Sequence, residues 1–293
     1  MPGVHGREVY MPRRGIHDKN HRSACLRLAR LLCYHRPIMP VALISDLHSN
    51  QESLTKVLAD IEGQGVKDIY CLGDLIGYGP DPRFVVEKAM NWKLSLMGNH
   101  DEAVLKEAYG FNPVAKAAVT WTRDQLRPGF LSGKTKKEQW QFLQNLKLTH
   151  QEDGALFVHG SPRDPTMEYV LRSDCIDLTG GVPEKIKDIF SRFERVCFAG
   201  HTHDPGVITE EAQFIHPKDC NYEFTFEKGK KYFINIGSVG QPRDGDTRSC
   251  YAIYYGDKVV WRRPEYDYKV TMEKIFNTPQ LDPRAGERLA HGR

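Results

Sequence analysis

Five short apolar runs each lead into a segment carrying Asp, His or Asn, and this coupling restricts the fold more than any other feature of the chain. Val41-Ala42-Leu43-Ile44 leads into Asp46-Leu47-His48, and Ile69-Tyr70-Cys71-Leu72 into Gly73-Asp74. Leu94-Ser95-Leu96-Met97 precedes Gly98-Asn99-His100-Asp101, Ala155-Leu156-Phe157-Val158 precedes His159-Gly160, and Arg195-Val196-Cys197-Phe198-Ala199 precedes Gly200-His201-Thr202-His203. Runs of this length and composition read as buried strands. Polar groups that follow strands collect at the carboxyl edge of a sheet, where α/β proteins form their sites.

The intervening segments supply helices for the sheet faces. Ser49 and Glu52 form a capping-box pattern, after which Leu54, Val57, Leu58 and Ile61 recur at helical spacing. Asp81-Pro82 reads as a cap followed by proline at the first helical position, with Val85, Val86, Ala89 and Met90 as the apolar stripe. Ile186, Ile189, Phe190 and Phe193 repeat the spacing before the strand that leads to His201. The segment from about 102 to 151 reads as a helical insertion bearing Trp121 and Trp140. It starts directly after His100-Asp101, so it is placed to shape one wall of a site; tryptophans in such helices are more often core than base-stacking platforms.

A chain of 293 residues can bury a substantial core. No apolar stretch approaches the ~20 residues needed to cross a bilayer. Seven cysteines, an odd count with no CxxC pair, fit reduced thiols in a cytoplasmic protein better than a disulfide framework or a zinc ribbon. The net charge of +3 is unevenly spread. Residues 1–38 hold eight Lys and Arg against two acids, and the remainder 33 against 36. The basic arm, 1–38, is expected to be a disordered or dispensable tail, with translation from Met39 sufficient for a complete domain at 39–263. It lacks the long apolar centre of a secretory signal. Residues 264–293 are polar, carry Pro279, Pro283 and Gly286, and read as a partly ordered tail.

Asp46 and His48, two apart on a loop, can present a carboxylate oxygen and an imidazole nitrogen to one cation. Asp74 has two oxygens with which to bridge two cations, Asn99 offers an amide oxygen, and His159, His201 and His203 offer imidazoles. Each motif is weak when taken singly. Together they hold five of the eight histidines outside the arm, leaving His150, His216 and His291. Oxygen and nitrogen donors without thiolate suit manganese, iron, zinc, nickel or similar divalent ions.

The ordered set D-x-H, G-D, G-N-H-[DE], H and G-H-x-H, complete within about 160 residues, resembles the signature of the calcineurin-like metallophosphoesterase superfamily. That resemblance, over roughly Met39 to Trp261, implies a four-layer α-β-β-α sandwich with two mixed sheets and a two-metal site at their edge. It places Asp46, His48, Asp74 and His203 on one metal and Asp74, Asn99, His159 and His201 on the other. It also makes His100 the non-ligand histidine that protonates the leaving oxygen, with Asp101 beside it to orient the ring and raise its pKa. Asn235-Ile236-Gly237-Ser238-Val239-Gly240-Gln241-Pro242-Arg243 looks like the loop of small prokaryotic-type phosphoesterases of the YfcE group and of diadenosine tetraphosphatase-like enzymes, with Ile236 in place of the usual proline. Arg243 could clamp a phosphate; the alternative is a structural salt bridge with Asp244 or Asp246.

The run Leu75-Ile76-Gly77-Tyr78-Gly79 lacks the arginine that serine/threonine protein phosphatases and the main symmetrical diadenosine tetraphosphatases carry there. Gly-Asn-His-Asp also stands where Gly-Asn-His-Glu is their pattern. The leading expectation is a dinuclear phosphoesterase acting on a small phosphate mono- or diester or a nucleotide, with a protein-phosphatase-like or diadenosine tetraphosphatase-like hydrolase as the alternative. A nuclease is disfavoured by the net −3 of the region after the arm, since nucleic-acid affinity rests on phosphate neutralisation. A metal-free scaffold is disfavoured by the complete donor set.

Overall fold

The computed structural model describes residues 39–177 and 180–293. The basic arm lies outside them. Strands β1 (Val41–Ile44), β2 (Asp68–Cys71) and β3 (Leu94–Ser95) run parallel in one sheet. Antiparallel β9 (Glu223–Thr225), β11 (Tyr251–Tyr254) and β12 (Lys258–Arg262) complete it in the order β3-β2-β1-β11-β12-β9. A second sheet has β5 (Ala155–Val158), β6 (Val196–Ala199) and β10 (Tyr232–Asn235) parallel at its centre. Antiparallel β4 (Thr149–Glu152), β7 (Gly206–Thr209) and β8 (Phe214–Ile215) flank them in the order β4-β5-β6-β10-β7-β8.

Side-chain alternation along each strand builds the layers. Leu43 of β1 joins Tyr70, Leu72, Phe157, Phe198 and Ile234 in the core between the sheets. Ala42 and Ile44 face the other way, onto Leu54, Val57 and Ile61 of α1 (Gln51–Gly63) and Val85 and Val86 of α2 (Pro82–Ala89). Each such aliphatic side chain, once buried, contributes about 1.5–3 kcal/mol. On the far side, Ile186, Ile189 and Phe190 of α6 (Glu184–Ser191) cover Cys197, Ile208 and Phe233. The expected α-β-β-α sandwich with two mixed sheets is therefore what the chain forms. The six parallel strands deliver their following loops to one edge.

The insertion contributes α3 (Asn99–Leu105), α4 (Pro113–Leu126) and α5 (Lys134–Gln144). Trp140 packs on the α1–α2 side of the core and Trp121 on a cluster that includes Tyr78, Val114 and Ala118. Both act as packing residues. The five cysteines among the described residues are free thiols, and no described helix is long and apolar enough to cross a membrane.

Two caps and the carboxyl end depart from the sequence expectation. The cap of α1 is Asn50, whose side chain accepts from Ser53 N at 3.1 Å, because Ser49 holds a left-handed backbone (φ 54°). Asp81 stands at the start of α2 without capping it; its carboxylate pairs with Lys274 at 2.9 Å. That lysine belongs to α7 (Tyr268–Phe276), which with α8 (Pro283–Glu287) replaces the expected tail. Lys274 also reaches Glu52 at 2.5 Å, and Thr271 donates to Glu52 and Asn50, so α7 is pinned across the starts of α1 and α2. Ile275, Leu281, Ala285 and Leu289 then bury against Tyr78, Val114 and Ala118. Apolar residues this sparse show little periodicity, which is why the segment reads as polar.

Candidate metal centre

The loops after β1, β2, β3, β5 and β6 meet in one buried cluster. Asp46 and His159 are fully buried, and His48, Asp74, His201 and His203 nearly so. His203 Nε2 lies 3.1 Å from Asp46 Oδ1 and 3.2 Å from His48 Nε2, which is itself 3.7 Å from Asp74 Oδ2. On the other side of that same oxygen, His159 Nε2 lies 3.5 Å away. It also stands 3.1 Å from Asn99 Oδ1 and 3.1 Å from His201 Nδ1. Asp74 thus adjoins two donor groups, and all seven predicted donors are brought together.

Each imidazole is oriented from behind. The outward nitrogens face backbone carbonyls: His48 Nδ1 faces Ile76 at 3.4 Å, His159 Nδ1 Leu72 at 3.0 Å, His201 Nε2 Met167 at 3.2 Å and His203 Nδ1 Gln241 at 2.5 Å. A carbonyl only accepts, so in the neutral ring the proton sits on the outward nitrogen and the inward one is left as a lone pair. Burial pushes His48, His201 and His203 below the ordinary imidazole range, His201 to about 3. Burial acts in the same sense on His159, but Asp74 beside it prevails and lifts that ring to about 9, so its inward nitrogen carries a proton that a bound cation would displace. Lone pairs and carboxylate oxygens facing one another at 3.1–3.7 Å repel unless positive charge lies among them. The donor set, oxygen and imidazole without thiolate, fits divalent cations on both sides of Asp74.

The backbone is strained where the donors sit. Asp46, His48, Asp74, His201 and His203 all have left-handed φ values, 55°, 45°, 52°, 65° and 60°. Such conformations cost of order 1 kcal/mol each and persist only when the surroundings hold them. The loops after β1 and β2 are laced together by Asp46 N to Gly73 O at 3.0 Å and Leu47 N to Asp74 O at 2.8 Å. The Gly-rich loop after β10 closes over them. Val239 N donates to Ser45 O, and Gly240 N and Ser238 Oγ both donate to Asp46 O, all at 2.9 Å. A Cβ on Gly240 would stand 1.9 Å from Leu47 O, and one on Gly98 2.1 Å from Asp74 Oδ1, so both positions require glycine. The sequence marked this loop by its family resemblance and by Arg243, and gave no sign of its clamping role.

His100 is buried beside the cluster, its backbone N donating to Asp74 Oδ1 at 2.8 Å and its Nδ1 without a partner. Asp101 does not orient it. The Asp101 carboxylate instead accepts from Gly98 N at 2.9 Å and from Leu75 N and Ile76 N at 3.4 and 3.3 Å, tying the loops after β2 and β3 together. Nor is the His100 pKa raised: burial, opposed by Asp74, takes it down to about 4. The physical reason for the correction is local. Asp101 is the third residue of α3, where a carboxylate turns back onto the free N–H groups at the helix start.

Arg243 lies at the same edge. Its Nη2 donates to Gln241 Oε1 at 2.9 Å and its buried Nε has no partner. Asp244 and Asp246 are paired elsewhere, Asp244 with Arg263 at 2.8 Å and Asp246 with Arg248 at 2.8 Å. The guanidinium is therefore not held by a structural salt bridge to either. Arg263, 5% exposed, bonds both carboxylates. Arg263→Ala would leave the buried Asp244 carboxylate with only His216, 3.9 Å away, and should lower unfolding stability by about 3 kcal/mol. Burial alone would raise the Asp246 carboxyl, but Arg248 and Arg263 hold it below its ordinary range. Its contribution is present above the unfolded value of about 4 and lost as pH falls. Denaturation of both proteins between pH 7 and pH 3 should show the Arg263→Ala penalty narrowing in acid; a constant penalty would assign the loss to packing alone.

Three residues at this edge were not anticipated as site residues. Tyr78 lies 4.6 Å from His100 between ring centroids, Phe111 lies 4.9 Å from it, and Tyr169 stacks on His201 at 3.7 Å. Tyr78 had a signal in the glycines on either side of it. Tyr169 had none.

Comparison with known proteins places this geometry in a family context. The family model described as the calcineurin-like phosphoesterase superfamily domain matches residues 39–258. An uncharacterized protein of Methanocaldococcus jannaschii is 37% identical over 263 residues, which span 86% of this chain and 98% of that protein. The crystal structure of a metallophosphoesterase from Sphaerobacter thermophilus is 35% identical, with a TM-score of 0.71 over 87% of this chain and 99% of that one. A hypothetical protein from Pyrococcus horikoshii shares the fold at 19% identity, with a TM-score of 0.65 over 87% of this chain and 98% of that one.

Proposed function

The chain belongs to the calcineurin-like phosphoesterase superfamily and is a hydrolase acting on phosphoester bonds, and from this premise we propose that it is a dinuclear metal-dependent phosphoesterase for small phosphate mono- or diesters or nucleotides. The observation that carries the proposal is the pair of donor groups adjoining Asp74, with four imidazoles oriented inward by backbone carbonyls. Asp46, His48, Asp74 and His203 would hold one cation, and Asp74, Asn99, His159 and His201 the other. Two such cations, when bound, draw electron density from phosphoryl oxygens and make a water acidic enough to attack phosphorus. Arg243, its Nε free of protein partners, binds a phosphoryl oxygen and fixes the ester in line. His100, whose pKa burial takes down to about 4, takes up the proton for the leaving oxygen once the anionic ester lies beside it. The carboxylate of Asp101 keeps the loops after β2 and β3 in register, and with them Asp74 and Asn99.

A manganese-supplemented hydrolysis screen with p-nitrophenyl phosphate, bis-p-nitrophenyl phosphate and diadenosine tetraphosphate tests the proposal, and the preferred substrate separates monoesterase, diesterase and nucleotidase. Metal loading has its own readout. Manganese at a hundred times its Kd should stabilise the native state by about 2.7 kcal/mol, a rise in Tm of about 5–10 °C for a domain of this size. A melting temperature indifferent to manganese and to chelator would count for a metal-free scaffold.

A further inference from the structure

We propose that the cleft beside the donor cluster is a leaving-group subsite for a planar ring, so that the preferred substrates are phosphate esters whose leaving alcohol carries an aromatic ring. The inference rests on the phosphoesterase function proposed above. The cleft, of about 130 Å³, is lined by Tyr78, His100, Phe111, Met167, Tyr169 and His201, which is room on the order of a single benzene ring. Tyr78, His100 and Phe111 form one continuous row of rings, with centroids 4.6 and 4.9 Å apart. Tyr169, 42% exposed, lies flat on His201 at 3.7 Å and 20°.

Both sets of rings adjoin residues of the reacting centre, His100 and His201. A phosphoryl group held by cations beside Asp74 would therefore have aromatic surfaces next to it for its leaving group. Tyr169 and Met167 stand apart from the hydrophobic clusters that hold the fold together, and both are more than two-fifths exposed. Exposed apolar groups gathered at the mouth of a polar centre mark a surface suited to ligand contact. Aromatic faces supply that contact through offset stacking and edge-to-face packing, and a thioether adapts to a ring edge. Phe111 comes from the insertion and Tyr169 from the loop after β5, so neither is dictated by the strands that present the donors. In the reaction, the new phosphorus–oxygen bond comes from water. The bond to the ring-bearing oxygen breaks with its electron pair, and that oxygen takes up a proton.

The test separates ring recognition from chemistry. Calorimetry on the manganese-loaded full chain should show phenylphosphonate binding about ten-fold more tightly than methylphosphonate. Phe111→Leu and Tyr169→Leu should each cut that ratio to about two- or three-fold. The two rings touch different imidazoles, so a common fall in the ratio reports the subsite and not a displaced donor. In parallel, the ratio of kcat/KM for phenyl phosphate over methyl phosphate should fall similarly in each variant, the intrinsic reactivity of the esters cancelling in the comparison. Equal affinity for the two phosphonates, or a ratio unmoved in both variants, with phenyl phosphate still hydrolysed, would overturn the subsite and leave the phosphoesterase standing. Hydrolysis of neither ester would overturn the phosphoesterase and the leaving-group role with it.

Discussion

Asp74→Asn should lower kcat/KM for every ester the protein hydrolyses by about 10³-fold or more, since losing cation charge at phosphorus removes several kcal/mol of transition-state stabilisation. The substitution changes charge and little else. Asn fits the left-handed backbone at φ 52° better than most residues, and its amide oxygen can still accept from His100 N. The NH2 group, however, would point donors at His48 Nε2 or His159 Nε2, which now lie 3.7 and 3.5 Å from the carboxylate oxygen. With the shared anion gone, both cation sites weaken together. Metal analysis after gel filtration should therefore fall toward zero or one manganese per chain, while circular dichroism and monomer solubility stay unchanged. A variant that keeps two equivalents of manganese and near-native activity would show that Asp74 is not the shared ligand.

The fold was largely legible because its signals are short-range. Four or five consecutive apolar residues followed by a polar donor mark a parallel strand buried on both faces, and β1, β2, β5 and β6 stand where those runs lie. The residues proposed as donors were legible for the same reason: each follows its strand within a few residues. What sequence could not supply was partner choice over long separations. The pairing of Asp81 with Lys274, nearly two hundred residues away, leaves α2 without its expected cap and pins α7. Asp101 next to His100 suggests a pair, yet the helix start claims the carboxylate. The short row of rings from Tyr78 to Phe111 and the stacking of Tyr169 on His201 join residues from separate loops, which no local period reports.

His100→Asn should reduce kcat by about 10²–10⁴-fold, the range for losing a positioned proton donor, and leave the metal content nearly unchanged. The two readouts must be taken together, because His48, Asp74 and His100 also form a grouping with one donor atom each within 4.8 Å. Geometry alone therefore permits His100 as a ligand. Its Nδ1 distinguishes it from the four donor imidazoles: it is buried and has no partner, whereas each of those rings has its outward nitrogen on a carbonyl. A ring free of such anchoring, packed between Tyr78 and Phe111, is suited to exchange a proton with a group entering the cleft. The size of the loss should then depend on what leaves. p-Nitrophenolate departs without needing a proton, so the variant should retain much of its activity on p-nitrophenyl phosphate, while phenyl and alkyl esters, whose oxygens must be protonated, should suffer the full effect. A loss equal for all esters and accompanied by loss of manganese would make His100 a ligand. A loss graded by the leaving group at constant metal would make it the proton donor.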